Sequence, residues 1–144
     1  MISNEDLIRL QLIKGLGRKT ISKILAYMES KNIRLNNFTE ALMLIKHMKI
    51  KRLTIDEENI ENEAKKIFES CQKNKIKIIG LYDQYYPYKF KLIEDRPLVL
   101  YVDGDRELLD VTNNIAIVGT RSPSQEGYEI SSIMAEKLTE ERCS

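Results

Sequence analysis

Gly119, Thr120, Arg121, Ser124 and Gly127 have the clearest chemical potential, within NIAIVGTRSPSQEGYEIS over residues 113–130. An apolar run ends at Gly119, an arginine follows, and a second glycine stands at 127. If 115–118 is a strand and a helix begins near Ser124, the junction bares backbone amides at the turn and at the helix N-terminus, and such amides hold an anion. Thr120 and Ser124 carry hydroxyls that can donate, and Arg121 can fork onto phosphate oxygens. Gly127, in the first helical turn, permits close packing. The chemistry is phosphate binding. GTRSPSQEG is neither G-x-G-x-x-G nor G-x-x-x-x-G-K-[ST], so neither dinucleotide nor P-loop nucleotide binding is indicated. The same residues also suit a plain strand-to-helix turn, with Ser124 as helix cap and Arg121 in solvent.

A second pair of glycines lies in LQLIKGLGRKTISKIL, residues 10–25. Gly15 and Gly17 flank Leu16 between two amphipathic patterns, an arrangement that resembles a helix-hairpin-helix motif. Glycine tolerates positive φ and lets backbone approach a phosphate with no Cβ in the way. The following helix would point unpaired N–H groups at that phosphate, with Arg18 and Lys19 adding charge. Such contacts reach the sugar-phosphate backbone and carry no sequence information. The alternative is a helical hairpin whose glycines only make a tight turn. The basic run KHMKIKR, residues 46–52, reads as a solvated connector. His47, the single histidine, lies in that run and has no catalytic role assigned.

The elements that must position these residues follow from periodicity. Ser3 with Asp6 has a capping-box pattern, and Leu7, Leu10, Leu12 and Ile13 give a short apolar face. After the glycines, Ile21, Ile24, Leu25 and Met28 recur at helical spacing. Asn36 and Asn37 punctuate, then Phe38, Ala41, Leu42 and Ile45 predict a third helix. Thr54 with Glu57 reads as another capping box, ahead of a long helix with the stripe Ile60, Ala64, Ile67 and Cys71 to about residue 73. The period then changes. KIKIIGL (75–81) alternates as a strand does, residues 82–87 form an aromatic-rich loop, and Pro97 opens a second strand, LVLYV. Gly104 ends that unit. Residues 115–118 predict a third strand, continuously apolar as strands covered on both faces are. Residues 125–141 predict an amphipathic helix with Ile130, Ile133, Met134 and Leu138 on one face. The fold class expected is an all-α bundle over 1–73, followed by the start of an α/β domain over 74–144.

Composition sets the outer limits. The chain has 144 residues, 31% charged and 42% hydrophobic, enough for a real core. No apolar run is long enough to cross a bilayer, and MISNEDLIRL lacks the basic and apolar regions of a signal peptide. A cytoplasmic protein is expected. Cys71 and Cys143 are isolated, which indicates neither a disulfide framework nor a zinc site, and no metal or cofactor is expected. The net charge of +1 hides an asymmetry: residues 1–52 hold 11 Lys/Arg against 4 Asp/Glu, and residues 53–144 hold 12 against 18. Such a split suggests two modules with different partners. No spacing of Ser, His and Asp, or of Cys and His, marks a catalytic site, so a binding protein is expected rather than an enzyme.

Together, YYPYKFKLIEDRPLVLYVDGDRELL (85–109) and IAIVGTRSPSQEGYEISSIMAEKL (115–138) resemble the DNA-processing protein A (DprA/Smf) family. The shared features are Tyr86-Pro87, Pro97 to Tyr101, Gly104-Asp105, Val118 to Arg121, and Gly127. The N-terminal part, with its Gly15-Leu16-Gly17 hairpin, resembles the SAM-like or helix-hairpin-helix domain that often precedes the family's Rossmann-like domain. The resemblance implies single-stranded DNA as ligand, protection of incoming DNA during uptake, and loading of RecA recombinase in natural transformation. It implies phosphate contacts by Gly119, Thr120, Arg121 and Ser124, with the hairpin as a weaker second site. Two departures stand out. Glu126 occupies a position where the family commonly has an aromatic, and the family's Rossmann-like domain continues past this last helix, so the chain reads as an N-terminal fragment. The edge left open at 115–118 predicts self-association. The alternatives are a nucleotide-binding, phosphoribohydrolase-like enzyme and a helical protein-interaction module.

Overall fold

The computed structural model describes residues 2–50 and 52–141. The chain divides into two compact units at Gly104/Asp105. The first holds four helices, α1 (Asn4–Leu12), α2 (Arg18–Ser30), α3 (Phe38–His47) and α4 (Glu57–Lys73), then strand β1 (Lys77–Gly80), the short helix α5 (Tyr88–Lys91) and strand β2 (Val99–Val102). The second holds a 3-10 turn (Arg106–Asp110) and helix α6 (Gln125–Glu140). The described chain is thus mostly helical with one small sheet, an α-rich region followed by a start of α/β character.

Local chemistry explains most of the helix boundaries. Ser3 Oγ accepts from the Asp6 amide at 3.1 Å while Asp6 Oδ2 accepts from the Ser3 amide at 3.3 Å, completing the expected box. Asn37 caps α3 by accepting from the Glu40 amide at 3.0 Å. At α4 the expectation fails. The cap is Asp56, which accepts from the Asn59 amide at 3.0 Å, not Thr54. α4 begins at Glu57, which makes 56 the cap position, and Thr54 lies outside the helix, its amide donating to the Lys14 carbonyl at 3.1 Å in an isolated antiparallel bridge.

α2 and α4 both end on a left-handed residue, Asn32 (φ 52°) and Lys75 (φ 57°). In each case the next amide reaches back to close the turn: Ile33 to the Met28 carbonyl at 2.9 Å and Ile76 to the Cys71 carbonyl at 2.8 Å. This is the Schellman arrangement, which favours glycine at the left-handed position. Replacing exposed Lys75 by Gly should therefore stabilise the unit by about 1 kcal/mol, read as a raised thermal midpoint.

The core of the first unit is built from Leu7, Ile8, Ile21, Leu25, Ile45 and Ile60 in the helices, joined by Ile79, Leu81 and Leu98 from the sheet region. β1 and β2 pair antiparallel, with Ile78 opposite Tyr101 and Gly80 opposite Val99. Polar ties bind helices and sheet together. Asn4 Nδ2 donates to the Ile78 carbonyl at 3.3 Å and to Asp83 at 3.1 Å, and the Tyr82 hydroxyl donates to Glu29 at 3.2 Å. Burial first, and then Glu29, push the Tyr82 hydroxyl up to about 12. Arg9 holds Glu61 of α4 through two bonds, at 2.8 and 3.2 Å.

The second unit differs in kind: none of its described residues is buried. The strand expected at 115–118 does not form, and residues 113–120 have no regular secondary structure. Ile115, Ile117 and Val118 are exposed, Val118 at 90%. A strand exists only where a neighbour takes its ladder hydrogen bonds. β1 and β2 pair with each other, and the described residues supply no strand beside 115–118. α6 forms over almost the expected range, yet Ile130, Ile133 and Met134 on its apolar face are each more than half exposed. No helix among the described residues is long and apolar enough to cross a membrane.

Candidate nucleic-acid interface

The turn between residue 118 and α6 is an open helix entrance. Ser124 is the N-cap of α6, its Oγ accepting from the Gly127 amide at 3.1 Å. That bond satisfies one of the orphan donors of the first turn and leaves the Gln125 and Glu126 amides without an intrahelical acceptor. The Ser122 amide donates to Thr120 Oγ1 at 3.3 Å, which folds the turn back on itself. Gly119, Thr120, Arg121, Ser124 and Gly127 are all exposed. Arg121 makes no ion pair among the described residues, so its five donors face solvent. A Cβ on Gly127 would sit 3.3 Å from Ser124 Oγ, so glycine there gives the cap room. Glu126 brings an acid into the first turn of α6.

Ser124 therefore serves as the helix cap, as the plain-turn alternative supposes. The capping oxygen acts as an acceptor, so the same hydroxyl can still donate to an anion. The two readings of this junction do not exclude each other chemically.

The glycine hairpin is more constrained. Gly15 has φ +88°, and a Cβ placed there would collide with the backbone carbonyl oxygen of Arg52. Leu16 is buried at 4% and anchors the turn from inside. Gly17 is the N-cap of α2 with φ −71° and no side-chain cap, and a Cβ there would meet nothing within 4 Å. The two glycines thus answer different demands: Gly15 has a packing reason to be glycine, and Gly17 has none from space or φ.

Arg18 does not point freely from the hairpin. Its Nε and Nη2 donate to the two carboxylate oxygens of Asp95 at 2.9 and 2.7 Å. The hydrogen bond from Arg18, ahead of its charge and that of Lys19, holds the Asp95 carboxyl below the usual carboxylate range. Asp95 had no signal in the sequence, because nothing local marks a carboxylate 77 positions away as the partner of Arg18. Lys19 is exposed. In the basic run, Lys46 lies 3.7 Å from Glu57 in an exposed ion pair; Lys51 falls outside the described residues.

Comparison with known proteins bears on the part of the chain that holds the junction. The family profile described as DNA recombination-mediator protein A matches residues 77–144. The "DNA processing protein DprA" of Bacillus subtilis (strain 168) is 33% identical over 78 residues, 54% of this chain and 25% of the relative. The match thus spans a quarter of that relative's length. No solved structure matches the chain. β1, the Tyr86-Pro87 turn, β2 and the 119–127 junction all lie inside residues 77–144, the segment that is similar to the DNA recombination-mediator protein A family.

Proposed function

We propose that the chain acts in DNA processing for recombination by binding single-stranded DNA through phosphate contacts at the 119–124 junction. The observation that carries this reading is the exposed Arg121, which forms no ion pair among the described residues, beside the N-terminus of α6 and inside the segment that the family profile matches. Amides at a helix entrance and a guanidinium together complement a phosphodiester without reading bases. Gly119 and Thr120 shape the approach, Ser124 offers its hydroxyl, and Gly127 keeps the first turn open. In this reading residues 74–144 begin a Rossmann-like domain and residues 1–73 form a SAM-like, helix-hairpin-helix domain. Gly15, Gly17, Arg18 and Lys19 of that domain give at most a weaker contact, because Arg18 is already paired. The protein works without catalysis, in the cytoplasm, and delivers strands to RecA recombinase. The exposed apolar residues at 115–118 and on α6 support self-association.

The test is equilibrium binding of a labelled single strand, with nucleotide monophosphate as the competing ligand, over a range of salt. Binding of the strand should weaken steeply as salt rises, because released counterions drive it. Tight binding of the monophosphate with indifference to the strand would instead favour a nucleotide-binding enzyme.

A further inference from the structure

We propose that the first unit carries a second phosphate site, in the cavity between α2 and residues 94–96, separate from the 119–124 junction. This cavity, of about 340 Å³, is lined by Lys19, Ser22 and Lys23 on α2 and by Glu94, Asp95 and Arg96 opposite. Ser22 Oγ and Arg96 Nε are buried side-chain atoms without a hydrogen-bond partner. Both residues line this cavity, and Arg96 also lines a neighbouring one with Glu29, Leu81, Tyr82 and Lys91. A buried donor left unmade is costly, and native structures keep few of them. Two such atoms at one site point to a ligand that accepts hydrogen bonds.

Charge narrows the class of that ligand. Asp95 is neutralised by its two-bond pairing with Arg18. Among the lining residues, three cations, Lys19, Lys23 and Arg96, are then set against one further acid, Glu94. An oxyanion fits this balance better than a neutral or cationic ligand, and a tetrahedral phosphate offers enough acceptors for a guanidinium, a hydroxyl and two ammonium groups. Arg96 is held in place independently, because its Nη1 donates to the Lys91 carbonyl at 3.2 Å. Lys19 belongs to the hairpin in the sequence, but its surroundings here are α2 and the 94–96 segment, a site with no signature in local spacing.

The experiment follows backbone amide shifts of the whole chain titrated with inorganic phosphate and, separately, with oligothymidylate. Either probe should move the amides of 19–23 and 94–96. Shifts with phosphate alone identify a free-phosphate site, and shifts with the oligonucleotide identify a phosphodiester as the source. Arg96→Gln should weaken phosphate binding about tenfold or more. Because Arg96 also supports the Lys91 carbonyl, Lys23→Gln on the exposed rim is the second variant, with an expected loss of several-fold and no change in thermal midpoint. Silence of these amides with both probes overturns the proposal, as does wild-type phosphate affinity in both variants. Arg121→Ala should leave this titration unchanged, so failure here is separable from failure at the junction.

Discussion

Gly15→Ala is expected to destabilise the first unit by about 2–4 kcal/mol, whereas Gly17→Ala is expected to leave its stability within about 0.5 kcal/mol. The two substitutions are chemically identical and two residues apart. Gly15 sits at φ +88°, where a side chain strains the backbone, and its added carbon would strike the Arg52 carbonyl oxygen. That oxygen cannot swing aside as a flexible side chain would. It belongs to the connection between α3 and α4, which is stapled to the hairpin by the Thr54 amide donating to the Lys14 carbonyl at 3.1 Å. Relief of the clash would break that bridge and lift Leu16 from the core. At Gly17 the φ of −71° suits any residue and the space is open. For a unit of this size the first loss corresponds to a drop in thermal midpoint of roughly 10–20 °C. Equal midpoints for the two variants would show that the hairpin is not stapled as described. The pair also separates structure from binding: any loss of DNA affinity in Gly17→Ala is a loss of contact, not of fold.

Arg121→Ala is expected to lower single-strand affinity about tenfold while the thermal midpoint stays at the wild-type value. The loss should be alike for purine-rich and pyrimidine-rich strands, because a guanidinium on a phosphate does not read bases. The slope of log affinity against log salt should become shallower by about 0.7, the share of one phosphate contact on a single strand. Stability should be unaffected, since Arg121 is exposed and forms no ion pair among the described residues. Fluorescence anisotropy at several salt concentrations measures affinity and slope together. A loss that depends on strand sequence would place Arg121 on a base edge. Unchanged affinity and slope would remove it from the interface.

The exposed face of α6 has a bearing on both experiments. Ile130, Ile133 and Met134, with Ile115 and Val118, form apolar surface that the described residues leave uncovered. Such surface favours association, so affinities should be measured at low protein concentration, and light scattering at high concentration should show species larger than the monomer.

The sequence by itself determined whatever closes within a few residues. The box of Ser3 and Asp6, the Asn37 cap, the buried stripe Ile21, Ile24, Leu25 and Met28, the end of α4 at Lys73 and the Ser124 entrance to α6 all depend on hydrogen bonds or spacings of three or four positions. The family motifs were legible for the same reason, as order and spacing along one strand of chain. Only the tertiary structure decided the rest. Asp56 caps α4, next to the first helical residue, while Thr54 bridges to Lys14, some forty positions earlier. Residues 115–118 have the residue types of a strand but no ladder partner, and backbone hydrogen bonds cannot be satisfied by composition. The change of period near residue 73 marks a switch of local structure, while the compact unit runs on to Gly104, because Ile79, Leu81 and Leu98 share a core with the helices. Arg18 looks free in sequence and is held by Asp95 in space. Spacing reports what a residue can do for its neighbours along the chain, and the fold alone sets which distant group reaches it first.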